Sequence, residues 1–204
     1  MVAVVDYDAG NVKSVEKALE KLGAQHILTS DPDVIRNADS CILPGVGNFG
    51  DCMDKLRAGG LDKAVKDFAA SGKCFLGICV GLQLLFDESE ESPGVSGLGI
   101  LKGKVKKFAS TDELKVPQIG WNNVSGLKGR LFDGIDVGTY FYFVHSFYLD
   151  ADDKNIVTSK TNYGIDYDSS IESGNVFATQ FHPEKSSDAG LKVLTNFLKI
   201  AGEL

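Results

Sequence analysis

A chain of 204 residues with 43% hydrophobic and 24% charged residues can bury a sizeable core, and it predicts one globular domain spanning residues 1–204. The net charge of −7 argues against a nucleic-acid-binding protein, because such proteins need an excess of basic residues to neutralise phosphates. The four cysteines contain no C-x-x-C pair, so we expect no metal site, and free thiols together with the absence of a long apolar run predict a cytoplasmic protein.

Strands and helices alternate through the first half of the chain. Short apolar runs typical of strands lie at residues 2–5, 25–28 and 40–43. Helical spacing of apolar residues indicates helices at 12–22, 33–38, 51–56 and 61–70. This alternation predicts an α/β fold with a mostly parallel, flavodoxin-like sheet and helices on both faces. Ligands of such sheets bind beyond the carboxyl ends of the strands, where the glycine-rich segment 44–49 is expected.

The second half of the chain has a different pattern. Turn signals such as Ser173-Gly174 separate strand-like runs, which lie at residues 100–108, 116–124, 140–149, 156–163 and 170–180. We therefore expect extra antiparallel strands in this half, followed by an amphipathic helix at 189–201. The acidic, turn-rich segment 87–94 is interpreted as a solvated loop.

The segment KCFLGICVGLQLLF, residues 73–86, carries the clearest chemical signal. An apolar strand-like run passes directly into a helix-like run through Gly77-Ile78-Cys79-Val80-Gly81. A sharp strand-to-helix corner forces its central residue to positive φ and requires glycines on either side, as in the G-x-S-x-G turn of serine hydrolases. Cys79 is therefore a candidate nucleophile, and the start of the helix favours its thiolate form. The alternative interpretation is a buried cysteine at a glycine-rich strand end.

Candidate partners for this nucleophile lie far downstream in Gln180-Phe181-His182-Pro183-Glu184. Residues two apart in an extended segment point to the same side, so His182 and Glu184 can face one pocket. A cysteine nucleophile needs a general base, and that base needs a carboxylate to orient it. The three residues thus predict a Cys-His-Glu triad, although a lone histidine such as His182 is more often a surface histidine before a helix than a catalytic one. His26 and His145 are interpreted as structural.

Taken together, the segments GICVGLQ, QFHPE and PGVGNF resemble the class I (triad) glutamine amidotransferases, and the resemblance covers essentially the whole chain. It implies hydrolysis of glutamine to glutamate and ammonia, with Cys79 attacking the amide, His182 transferring the proton and Glu184 orienting His182. It also implies an oxyanion hole formed by the N–H of Val80 and a second donor from Gly45 and Val46, which needs a peptide flip. Substrate contacts carry over to Gly47, Gln83, Ser146 and Phe147, the last of which replaces the more usual tyrosine.

Further segments, PQIGWN, YFVHS and FHPEKS, are similar to family members that pass ammonia to a (β/α)8-barrel cyclase. That cyclase makes imidazole glycerol phosphate and an aminoimidazole carboxamide ribonucleotide (AICAR) in histidine biosynthesis. The resemblance implies no cofactor, and it places Trp121, Tyr142, Lys185 and Asn11 at the interface with this partner. Two alternatives stay open: a glutaminase subunit serving anthranilate or pyridoxal phosphate synthesis, and a non-catalytic interaction protein with the same fold.

Overall fold

The computed structural model describes residues 1–8, 12–111 and 114–204. Its strands, numbered in chain order, are β1 (Val2–Val5), β2 (His26–Thr29), β3 (Ser40–Leu43), β4 (Cys74–Ile78), β5 (Glu88–Ser89), β6 (Gly103–Lys107), β7 (Gln118–Asn123), β8 (Tyr140–His145), β9 (Phe147–Ala151), β10 (Val157–Asn162), β11 (Asp166–Ser173) and β12 (Val176–Thr179). Its α-helices are α1 (Val12–Leu22), α2 (Pro32–Asn37), α3 (Phe49–Ala58), α4 (Leu61–Ala70), α5 (Val80–Leu84) and α6 (Ser187–Ile200).

A parallel sheet in the order β2–β1–β3–β4–β12 forms the centre of the fold. The residues of β1, β3, β4 and β12 are buried throughout, as expected for strands covered on both faces. Helix α1 packs against α6, whereas α2 and α3 pack against α4, so the helices form two separate groups. The predicted α/β fold with a parallel core is confirmed.

Antiparallel strands extend the sheet beyond β12, as expected from the second half of the sequence. Strand β11 pairs antiparallel with β12, β10 and β9, and β9 pairs antiparallel with β6. The strands β7 and β8 form a separate antiparallel pair, the β7–β8 ribbon. Parallel and antiparallel strands therefore meet at β12, directly beside the strand that leads to Cys79.

Two expected strands are divided in the structure. The run 140–149 breaks at Ser146 into β8 and β9, which belong to different sheets. The run 170–180 is interrupted at the predicted Ser173-Gly174 turn, where Gly174 has a φ of +59° that suits glycine, and this turn separates β11 from β12. Among the described residues, no helix combines the length and the apolar character that crossing a bilayer requires.

Candidate active site

The nucleophile candidate lies at a strained corner between β4 and α5. Cys79 has φ of 55° and ψ of −110°, a conformation that a non-glycine residue adopts rarely. A Cβ atom added to Gly77 would lie 2.8 Å from the carbonyl oxygen of Gly81, and one added to Gly81 would overlap the carbonyl oxygen of Leu43. The backbone N–H of Cys79 donates to the carbonyl of Thr179 at 2.8 Å, which ties the corner to β12. Both glycines are therefore required by close backbone packing.

A cavity of about 240 Å³ opens at this corner, and Cys79 and His182 both line it. The Nδ1 atom of His182 lies 2.8 Å from Oε1 of Glu184, and the side chains of both residues are only 2% exposed. Since a carboxylate only accepts hydrogen bonds, Nδ1 carries a proton. The other ring nitrogen, Nε2, is buried and has no hydrogen-bond partner among the described residues. This nitrogen is therefore available for proton transfer in the cavity.

The electrostatics of the pair favour a protonated imidazole. Burial opposes the charge on His182, but the Cys79 thiolate and the Glu184 carboxylate outweigh this effect and raise the pKa of His182 to about 10. The His182 ring is therefore protonated at pH 7 and lines the same cavity as the Cys79 sulfur.

The predicted oxyanion donors are not assembled in this structure. The N–H of Val80 donates to the carbonyl oxygen of Gly45 at 3.3 Å, so this donor is occupied by the loop that was expected to supply the second one. Val46 and Val80 line the cavity, whereas Gly45 is buried behind it. Neighbouring side chains hold the carbonyls of this loop in place: the hydroxyl of Tyr7 donates to the carbonyl of Pro44 at 2.9 Å, and the thiol of Cys52 donates to the carbonyl of Val46 at 3.6 Å.

The predicted substrate contacts all lie on the cavity, namely Gly47, Gln83, Ser146 and Phe147. Two of them also hydrogen-bond within the protein. The amide Nε2 of Gln83 donates to the carbonyl of Phe147 at 3.2 Å and to Oε1 of Gln180 at 3.1 Å, which leaves Oε1 of Gln83 for a ligand. The Phe147 carbonyl also accepts from Nδ1 of His145 at 2.7 Å, so Phe147 supports the cavity through its backbone.

One acidic residue corrects the interpretation of segment 87–94 as a solvated loop. Glu91 lines the cavity beside Cys79, and its carboxylate accepts a hydrogen bond from the N–H of Phe49 at 2.7 Å. Burial raises the pKa of this carboxyl group. Sequence reasoning missed Glu91 because several acidic residues are adjacent and only the path of the chain selects one of them.

The cavity wall also contains residues that were not predicted there, including Pro117, Val144 and His145. His145 is buried, as expected, and burial lowers its pKa to about 4, so its ring is neutral at pH 7. Gln180 is completely buried, and its Nε2 lies 3.7 Å from the Cys79 sulfur. The QFHPE segment was the available signal for Gln180, since it precedes the predicted histidine by two residues.

The predicted interface aromatics lie on the outer face of the β7–β8 ribbon. Trp121 and Tyr142 are cross-strand partners whose ring centroids are 6.2 Å apart in an edge-on arrangement, and Trp121 is 53% exposed. Ile119 and Tyr140, which were not predicted, are 64% and 57% exposed on the same ribbon. Lys185 follows Glu184 in a short 3-10 helix and is half-buried, while Asn11 lies outside the described residues.

No group of three or more histidine, cysteine, aspartate or glutamate side chains within the described ranges is arranged to hold a metal ion. The cavity lining brings together the thiol of Cys79 and the imidazole of His182.

Comparisons with known proteins identify the family. The model of class I glutamine amidotransferases matches residues 3–201. The imidazole glycerol phosphate synthase subunit HisH of Dehalococcoides mccartyi is 48% identical to this chain over 202 residues, and the match covers 98% of each chain. The HisH subunit of Bacillus subtilis is 45% identical over 208 residues, and the match covers 100% of this chain and 98% of the Bacillus chain. A solved structure described as a glutamine amidotransferase has the same fold, with a TM-score of 0.78 at 20% identity, and the match covers 99% of this chain and 100% of that one. The chain therefore belongs to the class I glutamine amidotransferase family, and within it the chain is similar to HisH subunits along nearly its whole length.

Proposed function

We propose that this chain, acting as one amidotransferase domain, hydrolyses glutamine to glutamate and ammonia. The observation that carries the proposal is the position of Cys79 at the positive-φ corner of a cavity shared with His182, whose Nδ1 is held by Glu184. This arrangement supplies a nucleophile, a base and a residue that orients the base. The match of this chain to the glutamine amidotransferase family supports the same activity, and the HisH relatives are named as subunits of a synthase.

In the proposed reaction, the Cys79 thiolate attacks the side-chain amide carbon of glutamine. Protonated His182 then gives the proton on Nε2 to the departing ammonia, and a thioester of glutamate remains on the sulfur. Neutral His182 next takes a proton from water, which attacks the thioester and releases glutamate. Glu184 keeps Nδ1 protonated throughout and stabilises the imidazolium that forms.

We propose that the oxyanion hole forms by rotation of the Gly45–Val46 peptide. This rotation removes the Gly45 carbonyl from the N–H of Val80 and turns the N–H of Val46 towards the cavity, so that two donors face the developing charge. The hydrogen bond between Val80 and Gly45 supports the proposal, because it occupies a donor that the reaction needs. The isolated chain should therefore have low glutaminase activity.

Glu91 is the proposed acceptor for the α-ammonium group of glutamine. It is the acidic member of the cavity lining, and a buried carboxylate is stabilised by a cation. Gly47, Ser146 and Oε1 of Gln83 complete the proposed binding site for the substrate's amino and carboxylate ends.

We propose that the ammonia passes to a (β/α)8-barrel cyclase, which makes imidazole glycerol phosphate and AICAR in histidine biosynthesis. The name of the HisH relatives, imidazole glycerol phosphate synthase subunit, supports this assignment. The aromatic outer face of the β7–β8 ribbon suits a protein interface, since exposed Trp and Tyr residues are enriched at binding hot spots. It adjoins the active site through Val144, a ribbon residue that lines the cavity. A reducing compartment such as the cytoplasm fits because Cys79 must remain a free thiol.

The direct test is glutamate release by the purified chain with and without the cyclase subunit from the same organism and its nucleotide ligand. We expect low activity alone and strong stimulation by the loaded cyclase. Cys79→Ala should lower the stimulated rate by about 10⁴-fold or more, because the nucleophile is lost. Cys74→Ala, at the start of the β4 strand that leads to Cys79, is the matched control and should retain activity.

Other outcomes would favour the alternatives. Full activity of the isolated chain would contradict the blocked oxyanion hole. Co-purification with an anthranilate or pyridoxal phosphate synthase would reassign the partner. Failure of a glutamine-like diazo-ketone to label Cys79, even with the cyclase bound, would favour a non-catalytic protein.

A further inference from the structure

Gln180 lies where two parallel strands end side by side. Strand β12 ends at Thr179, which is paired in register with Ile78, the last residue of β4. Gln180 directly follows β12, and Cys79 directly follows β4. The Gln180 side chain is completely buried. The fold thus holds a polar amide beside the nucleophile and away from solvent.

The hydrogen bonds around Gln180 determine which end of its amide faces the sulfur. The carbonyl of Phe147 can only accept, so Gln83 must present its NH2 group to that carbonyl. The second proton of the same NH2 group then points to Oε1 of Gln180 at 3.1 Å. The NH2 group of Gln180 is consequently left on the side of Cys79, with Nε2 3.7 Å from Sγ.

Further contacts support this series of hydrogen bonds, which runs from Phe147 through Gln83 and Gln180 to Cys79. The Phe147 carbonyl also accepts a hydrogen bond from Nδ1 of His145, so two buried donors, Gln83 and His145, hold it in place. The Cys79 thiol also lies 3.9 Å from the carbonyl oxygen of Val144, to which it can donate. A buried N–H donor is stabilised by an anionic acceptor more than by a neutral thiol, whose sulfur is a weak acceptor.

We propose that Gln180 is a positioning residue that stabilises the Cys79 thiolate through a donated hydrogen bond and is itself oriented by Gln83. The inference rests on the proposed function and deepens it, because it adds to the proposed triad a further residue that donates a hydrogen bond to the Cys79 sulfur. Gln180 complements His182: the histidine supplies the charge, whereas the amide supplies a neutral donor that does not titrate.

Several titratable groups surround the sulfur and must be considered in any pH-dependent test. They are His182 with Glu184 on the segment after β12, His145 at the end of β8, Glu91 on the cavity wall, Tyr7 after β1 and Tyr167 on β11. His145 is neutral at pH 7, and burial raises the pKa of both tyrosines, so neither tyrosine changes charge between about pH 5 and 9. The charged neighbours of the sulfur in this pH range are therefore His182 and the carboxylates.

The test measures the rate of Cys79 alkylation by iodoacetamide between about pH 5 and 9, with site-resolved mass spectrometry to separate Cys79 from Cys74. In Gln180→Met the thioether cannot donate a hydrogen bond, so we expect the pH at which Cys79 becomes reactive to rise by about one unit. This shift corresponds to alkylation that is about tenfold slower at low pH. The side chain in Gln180→Glu has nearly the same shape, and this variant should raise the pH at which Cys79 becomes reactive further, because a carboxylate replaces the donor. It also serves as a second variant if the methionine protein does not fold.

Asn196→Leu is the matched control for the loss of a buried amide. The Asn196 side chain is buried in α6 and donates to the carbonyls of Leu131 and Asp133, away from the cavity. The Asn196→Leu variant should lower the stability of the folded protein without changing the pH dependence of Cys79 alkylation. Unchanged profiles in the Gln180 variants, or an equal shift in Asn196→Leu, would overturn the proposal. Alkylation needs no glutamine, so a failed glutaminase assay with a shifted profile would reject the proposed function and leave this inference intact.

Discussion

The two walls of the cavity beside Cys79 differ in how closely their geometry matches what the proposed hydrolysis needs. On one wall, the corner at Cys79 and the segment containing His182 and Glu184 are held by adjacent parallel strands, and His182 is already hydrogen-bonded to its carboxylate. On the other wall, the loop containing Gly45 and Val46 turns a carbonyl towards the Val80 N–H, where the reaction needs donors.

This difference indicates where control of the reaction resides. A strained residue such as Cys79 persists because backbone packing around its flanking glycines leaves little alternative. The Gly45–Val46 loop has glycines on both sides of Val46 and therefore more than one accessible conformation. We infer that the proposed nucleophile is always held in its reactive position, whereas stabilisation of the transition state requires the Gly45–Val46 loop to change conformation.

The largest effect is expected on the wall that contains Cys79, His182 and Glu184. Glu184→Gln removes the carboxylate that orients His182 and stabilises its charge, and it should lower the cyclase-stimulated kcat by about 10²–10⁴-fold with a small change in KM. The measurement is steady-state glutamate release. An unchanged kcat would show that His182 does not depend on Glu184.

The same variant tests the raised pKa of His182. The pKa rises from 6.5 to about 10 in the folded protein, so stabilisation from the protonated ring is complete below about pH 6.5 and is lost as the pH rises through 10. We expect the difference in unfolding free energy between wild type and Glu184→Gln to be largest near pH 6 and to shrink towards pH 10. Urea unfolding at a series of pH values measures it.

A smaller effect, confined to hydrolysis, is expected on the second wall. A Cβ atom at Gly45 would lie 2.8 Å from both the Gly81 nitrogen and the Tyr7 hydroxyl, so Gly45→Ala should displace the loop from the corner. Loss of one oxyanion donor lowers kcat by about 10²–10³-fold, whereas alkylation of Cys79 should stay near the wild-type rate.

Gly59→Ala is the control for this substitution, because Gly59 has negative φ and its added Cβ would meet only the flexible side chain of Leu61 closely. If Gly45→Ala slowed alkylation and hydrolysis equally, the two walls would not be independent.

The smallest effect on the reaction is expected at the proposed interface. Trp121→Ala removes an exposed aromatic ring from the β7–β8 ribbon, and it should weaken binding of the cyclase by about 10–100-fold, as for a hot-spot residue. Stimulated activity should recover at high cyclase concentration, since the cavity is unchanged. Ile27→Ala, an exposed apolar residue on the outer strand β2, is the control in a titration of cyclase binding. Equal weakening by both variants would reject the ribbon as the interface.

Local patterns predicted much of this architecture. The β-branched run at β1, the helical spacing of α1 and the G-x-C-x-G corner each depend on neighbours within a few residues, and the structure places all three as expected. The division at Ser146 was missed because the run 140–149 is continuously strand-like, and only pairing with β7 or β6 assigns its two parts to different sheets.

The amino-acid sequence by itself predicted Cys79, His182 and Glu184 as the candidate triad, because each occurs in a motif whose glycines, proline or spacing have a local physical reason. Tertiary structure alone decided that Glu91 and Gln180 adjoin the cavity and that the Gly45 carbonyl occupies the Val80 donor. These relations join segments distant in the chain, and the packing of strands, not local residue preference, sets the distances between them.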